Sequence, residues 1–184
     1  MGNSGLRKLL FAGDIVESPY RSLSDIKVIN LDKEEVFLGD LTANKYAIVV
    51  NTGSQNPNFK QLINELNQFK QENKDKLEIL AFPCNQFYNE PLNFKNIKDS
   101  YSNLAQFPVF QKVEVNGSYM HPLYKFLKRH SSLYNYKLLN GAKITEDFSK
   151  FLINTKGEVV SFYTASTPLS QIQKDLDTLK SSQN

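Results

Sequence analysis

The chain has 184 residues, 40% of them hydrophobic, with 13 Phe and no Trp; this suits one packed domain and excludes intrinsic disorder. A formal net charge of +3, with no basic run interleaved with aromatics, argues against a nucleic-acid partner, and no apolar run approaches the ~20 residues of a membrane span. The single Cys, Cys84, rules out an internal disulfide and fits a reducing, intracellular compartment, while the 2 His, His121 and His130, lack the neighbours of a metal site.

Residues 1–21 differ in character from the rest of the chain. Met1-Gly2-Asn3-Ser4-Gly5 is loop chemistry, residues 6–11 supply one or two amphipathic turns, and Gly13-Asp14 and Pro19 stop a long helix. The segment reads as an N-terminal extension that docks, with a targeting segment or an acylated Gly2 as alternatives. Asp14 and Glu17 weaken the first alternative, and Leu6 at the usual Ser/Thr position weakens the second.

The domain is expected over residues 22–184. Ile26, Val28 and Ile29 predict a strand, Asp32-Lys33 a turn, and residues 35–38 a return strand. Residues 46–51 form an almost continuous apolar run, as in a central strand covered on both faces. Asn56-Pro57 supplies an N-cap and first residue for a helix whose apolar positions are Phe59, Leu62, Ile63, Leu66 and Phe69.

Residues 77–82 predict the next buried strand, which completes a βαβ crossover. It feeds the loop Pro83-Cys84-Asn85-Gln86-Phe87, and loops at the carboxyl ends of buried strands are where α/β proteins place chemistry. Ile97 and Tyr101 predict a short helix, Val109-Phe110 with Val113 a strand, and Pro122 a helix carrying Leu123, Phe126 and Leu127. Residues 128–145 are a Tyr-containing connection. Residues 148–153 and 159–163 predict an antiparallel hairpin, and Thr167-Pro168 caps a last helix with Leu169, Ile172, Leu176 and Leu179 on one face.

Three phrases carry a resemblance: Ile79-Leu80-Ala81-Phe82-Pro83-Cys84-Asn85-Gln86-Phe87; Phe107-Pro108-Val109-Phe110 with Val113-Glu114-Val115-Asn116-Gly117; and Pro122-Leu123-Tyr124-Lys125-Phe126-Leu127 with Phe148-Ser149-Lys150-Phe151-Leu152. Together they resemble the glutathione peroxidase family over about residues 22–179. The resemblance implies an α/β, thioredoxin-like fold with a central mixed sheet flanked by helices. It also implies a reaction in which a Cys or selenocysteine attacks peroxide beside a Gln and a Trp-Asn pair. Thiolates are nucleophilic enough, and amide and indole donors stabilise the departing charge.

Matched position by position, those groups are replaced. Asn56 falls where the nucleophile belongs, Asn89 stands nearest the Gln, and Glu146 and Asp147 fall on the Trp-Asn pair. The second-step Cys of thioredoxin-dependent members aligns near Ser100. A carboxamide cannot be oxidised to a sulfenic acid. A thiolate about 6 Å from a carboxylate, at an effective dielectric of ~20, is disfavoured by roughly 3 kcal/mol, about two pKa units.

The expected catalytic residues are therefore none, and neither cofactor nor metal is expected. Cys84 is a structural thiol or, alternatively, a residual peroxidase or redox-sensing one. Glu146 and Asp147 read as solvated surface rather than an acidic binding spot. Lys125, Lys128 and Arg129 read as a solvated helix face. The function expected is a degenerate family member acting as a structural or interaction subunit, contacting other subunits through residues 1–21 and the 128–145 loop; the alternative is a thiol peroxidase or peroxide sensor acting through Cys84.

Overall fold

The computed structural model describes residues 13–182. The chain enters the domain through a short antiparallel hairpin, β1 (Lys27–Ile29) and β2 (Glu35–Phe37), turned at Asp32-Lys33 with Lys33 at φ 67°. A one-turn helix, α1 (Leu38–Thr42), leads to β3 (Tyr46–Thr52), then α2 (Phe59–Glu72) and β4 (Leu77–Pro83), and β3 and β4 pair in parallel. Next come α3 (Phe94–Ser102), α4 (Pro122–Arg129) and a two-residue ladder of β5 (Tyr134–Asn135) with β6 (Asn140–Gly141). The hairpin β7 (Lys150–Ile153) and β8 (Val159–Tyr163) turns through Gly157 at φ 79°, a left-handed conformation that glycine adopts without a Cβ penalty. The chain then closes with α5 (Leu169–Ser181).

The central sheet is mixed, in the order β4-β3-β7-β8, with β7 antiparallel to both neighbours. β3, β4 and β7 are buried on both faces, towards which their side chains alternate. Ala47, Val49, Leu80, Phe82 and Phe151 pack towards α4 and the β1–β2 hairpin, while Ile48, Val50, Ile79, Ala81 and Leu152 pack towards α2, α3 and α5.

Three local expectations change. The second helix starts at Phe59, not Pro57, because the Asn56 carboxamide accepts from Asn58 N (3.0 Å) and closes a turn before the first helical residue. Val109-Phe110 forms only isolated bridges, Val109 to Ala81 and Phe110 to Asn30, since Pro108 has no N–H to extend a ladder. The strand of the last hairpin begins at Lys150, because Phe148 has φ 62°.

The described part of the N-terminal extension is built into the domain. Asp14 exchanges backbone hydrogen bonds with Gly141 (2.8 and 2.9 Å), and Val16 joins the core. The Asp14 carboxylate accepts from Lys128 Nζ (2.6 Å) and from Gly117 N (3.0 Å), while Lys128 Nζ also donates to Asn116 Oδ1 (2.6 Å). Lys128, read from sequence as solvated, is thus fully buried. The docking expectation for residues 1–12 lies outside the described residues.

Candidate functional site

The loops after β3 and β4 leave the sheet side by side, since Cys84 N donates to Thr52 O (2.9 Å) and Gln55 N to Asn89 O (2.7 Å). Phe148 N donates to Asn51 O (2.6 Å), which brings the segment before β7 onto the same end of the sheet. As a result Asn56, Asn89, Glu146 and Asp147, far apart in sequence, line one cleft of about 520 Å³ with Leu62, Phe87 and Phe148. Asn89 Nδ2 donates to Asp147 Oδ2 (2.7 Å). The approach is close enough to require glycine at position 53. A Cβ there would lie 2.8 Å from Asn89 Cβ and from Asp147 Oδ2.

The electrostatics of this cleft are those of acids held away from water. Asp147 is 4% exposed, which corrects the solvated reading. Burial raises its carboxyl pKa, with Glu146 adding to the rise and the Asn89 and Asn56 amides opposing it. Among the described residues no donor hydrogen-bonds its Oδ1. Glu146 is half-buried and its carboxylate accepts from Ala165 N (3.0 Å). Lys150, beneath the cleft, is pushed down to about 8 by burial, with Glu146 and Glu65 opposing.

A second buried carboxylate, Glu90, was not singled out from sequence. It accepts from Ser54 N (2.7 Å), Ser54 Oγ (2.8 Å) and Tyr101 OH (2.9 Å), and Tyr101 OH also meets Thr52 Oγ1 (2.8 Å). Burial raises the Glu90 carboxyl, Asp147 adds to this, and the Ser54 and Tyr101 donors oppose it.

Cys84 is fully buried outside the cleft lining. Burial pushes its thiol up to about 11, with Asp147 and Glu114 acting in the same direction. The backbone N–H groups of Gln86 and Val115 oppose that rise without cancelling it, and Sγ also lies 3.8 Å from Gln86 Oε1, an oxygen already taken by Val115 N and Asn116 N (2.9 Å each). Iodoacetamide should therefore label native Cys84 at least about 100-fold more slowly than free cysteine at pH 8. Peptide mass spectrometry over time checks this, and labelling at the free rate would refute the burial argument. Ser100 lies on α3 with its hydroxyl committed to Asn96 O (2.8 Å).

The family model described as "Glutathione peroxidase" matches residues 23–128. The chain is 36% identical over 168 residues to "Probable glutathione peroxidase 3, mitochondrial" of Arabidopsis thaliana, covering 88% of this chain and 77% of that protein. It is 38% identical over 169 residues to "Probable glutathione peroxidase 2" of the same plant, covering 88% and 94%. Among solved structures, the crystal structure of Trgpx in apo form superposes with a TM-score of 0.64 at 32% identity, covering 85% of this chain and 94% of that one. T. cruzi GPX1 does so with a TM-score of 0.62 at 26% identity over the same shares. The chain therefore belongs to the glutathione peroxidase family and carries its thioredoxin-like fold.

Proposed function

We propose that this protein is a glutathione-peroxidase-like chain without peroxidase chemistry, serving as a structural or interaction subunit of a larger protein assembly. The observation that carries this reading is the makeup of the cleft at the ends of β3 and β4. Its polar side chains include Asn56, Asn89, Glu146 and Asp147, and it contains no thiol. Carboxylates there oppose a thiolate, and the buried Cys84 is a poor substitute for a nucleophile.

The docking side of the reading is supported by the seam between the extension and the 128–145 loop. Asp14 bridges Gly141, and a groove of about 960 Å³ runs between Gly13 and residues 132–145. On this loop Tyr136 is 74% and Leu139 70% exposed, and Arg129 stacks over Tyr134 at 4.0 Å. Exposed aromatic and aliphatic groups flanked by Arg have the composition of a contact surface.

The test is the native mass of the endogenous protein in a gentle extract. A mass far above 21.1 kDa, at fixed stoichiometry, is the expected result; a free monomer overturns the subunit role. In parallel, the purified chain should show no hydrogen peroxide turnover above thiol-blocked protein. Turnover that disappears in Cys84→Ser would overturn the inactive reading.

A further inference from the structure

We propose that the groove between Gly13 and residues 132–145 takes an acidic segment of a partner protein, one in which carboxylates alternate with apolar side chains. The inference rests on the interaction-subunit reading and names the chemistry of the contact.

The charge around the groove carries the first half of the argument. Lys137 and Lys143 line it, both are exposed, and no Asp or Glu shares the lining. Arg129 stacks over Tyr134, a wall residue, and its guanidinium lies 5.8 Å from the ring of Tyr136. None of these three cations belongs to the five ion pairs of the described residues. Asp14, next to Gly13 in the chain, is already committed to Lys128 Nζ and Gly117 N. Lys143 also acts on the buried Lys128 ammonium, in the direction that lowers its pKa, as neighbouring like charges do. Residues 1–12, which lead into Gly13, hold Arg7 and Lys8 and no acid. Positive charge is thus concentrated here on a chain whose net charge is only +3, and it selects an anionic partner.

The walls define the rest of the occupant. Leu133, Tyr134, Tyr136 and Leu138 supply apolar surface, and the two tyrosine rings meet edge to face with centroids 4.7 Å apart. A guanidinium stacked on a ring keeps its N–H fork in its own plane, where a carboxylate can take two hydrogen bonds. At about 960 Å³ the groove has room for several side chains, more than a lone anion fills. A polyanion without apolar groups would leave Leu133 and Leu138 unused, which favours a protein segment over a nucleic-acid strand. The seam is fixed before binding: Ala142 N donates to Leu133 O (2.8 Å), and a Cβ at Gly13 would sit 2.6 Å from Asn140 Cγ. A groove held in this way has little left to order when a partner enters.

The experiment is an NMR titration of the isotope-labelled full chain with an acetylated peptide alternating glutamate with leucine and phenylalanine. Saturable shifts confined to Arg129 and residues 132–145 are expected. The peptide with glutamine in place of glutamate should bind about tenfold more weakly or worse. Alanine in place of leucine and phenylalanine should weaken binding severalfold. The double change Lys137→Glu, Lys143→Glu, at two exposed positions, should weaken it about tenfold or more. Tyr136→Ala leaves the charge alone and should weaken it severalfold. No saturable shift, shifts centred elsewhere, equal binding of the glutamine peptide, or equal affinity of the charge-reversed chain would each overturn the surface. Tighter binding of oligothymidylate at the same residues would overturn the protein partner in favour of a nucleic acid.

The two readings fail separately. Peptide binding by a protein that runs as a free monomer in the extract would remove the subunit role and leave the surface. An assembly of fixed stoichiometry around a chain that does not bind the peptide would remove the surface and leave the subunit role.

Discussion

Asp14→Ala should lower the free energy of unfolding by about 3–5 kcal/mol, because it strands the Lys128 ammonium in the core. Lys128 is 0% exposed and has two anchors, Asp14 Oδ2 and Asn116 Oδ1. Removing the carboxylate leaves one neutral acceptor for a full charge. The same change releases the residue whose backbone ties the extension to Gly141, so Val16 should lose protection as well.

Urea denaturation at pH 7 gives the magnitude, and pH gives the mechanism. Burial already lowers the Lys128 pKa, with Asp14 opposing that fall, so the variant's folded-state pKa drops further below the unfolded value. Between those two values the unfolded chain binds the extra proton, so stability rises with pH and the deficit should shrink from pH 7 to pH 10. The double change Asp14→Leu, Lys128→Met should recover most of the loss. A single-variant loss below about 1 kcal/mol would mean that the pair is surface-like.

Glu90→Ala should cost about 2–4 kcal/mol, since Ser54 N, Ser54 Oγ and Tyr101 OH lose their shared acceptor, the Tyr101 hydroxyl in a fully buried setting and the Ser54 donors in a half-buried one. Glu90→Gln keeps an oxygen in place and removes repulsion with Asp147, so its cost at pH 7 should be small. The two carboxyls also set a pH dependence. Glu90 and Asp147 both have folded-state pKa values raised by burial, so the folded chain holds their protons more tightly than the unfolded chain does. Their contribution is fully present below the unfolded carboxylate value and is lost as pH rises through the folded one. The double change Glu90→Gln, Asp147→Asn should therefore flatten the stability profile above the unfolded carboxylate value of about pH 4. A variant profile parallel to the wild type would show that neither group is perturbed.

Much of the architecture was legible in one dimension because it depends on local pattern. The runs at residues 46–51 and 77–82 are apolar at almost every residue, as in strands buried on both faces; both strands are fully buried, β3 inside the sheet and β4 at its end. Helical spacing at Phe59, Ile63, Leu66 and Phe69 marked the buried face of α2, and the FPCNQF wording carried the family. The candidate positions Asn56, Asn89, Glu146 and Asp147 were also nameable from sequence, because motif matching needs only order along the chain.

What sequence alone could not decide is the environment of each polar side chain. Asp147 read as surface because acids usually are, yet the turn at Phe148 and the hydrogen bond from Asn89 fold it into the cleft. Lys128 sits among charged residues on α4 and read as solvated, until Asp14, more than 100 residues earlier, closes over it. Glu90 has no periodic signal at all, and its burial goes with donors on the loop after β3 and on α3. Hydrophobic periodicity determined the strands, helices and core of this protein, because burying apolar area is non-directional and follows local spacing. Pairing a buried charge is directional and joins residues distant in sequence, so only the tertiary structure decided which acids face the cleft and which lysine is locked in the core.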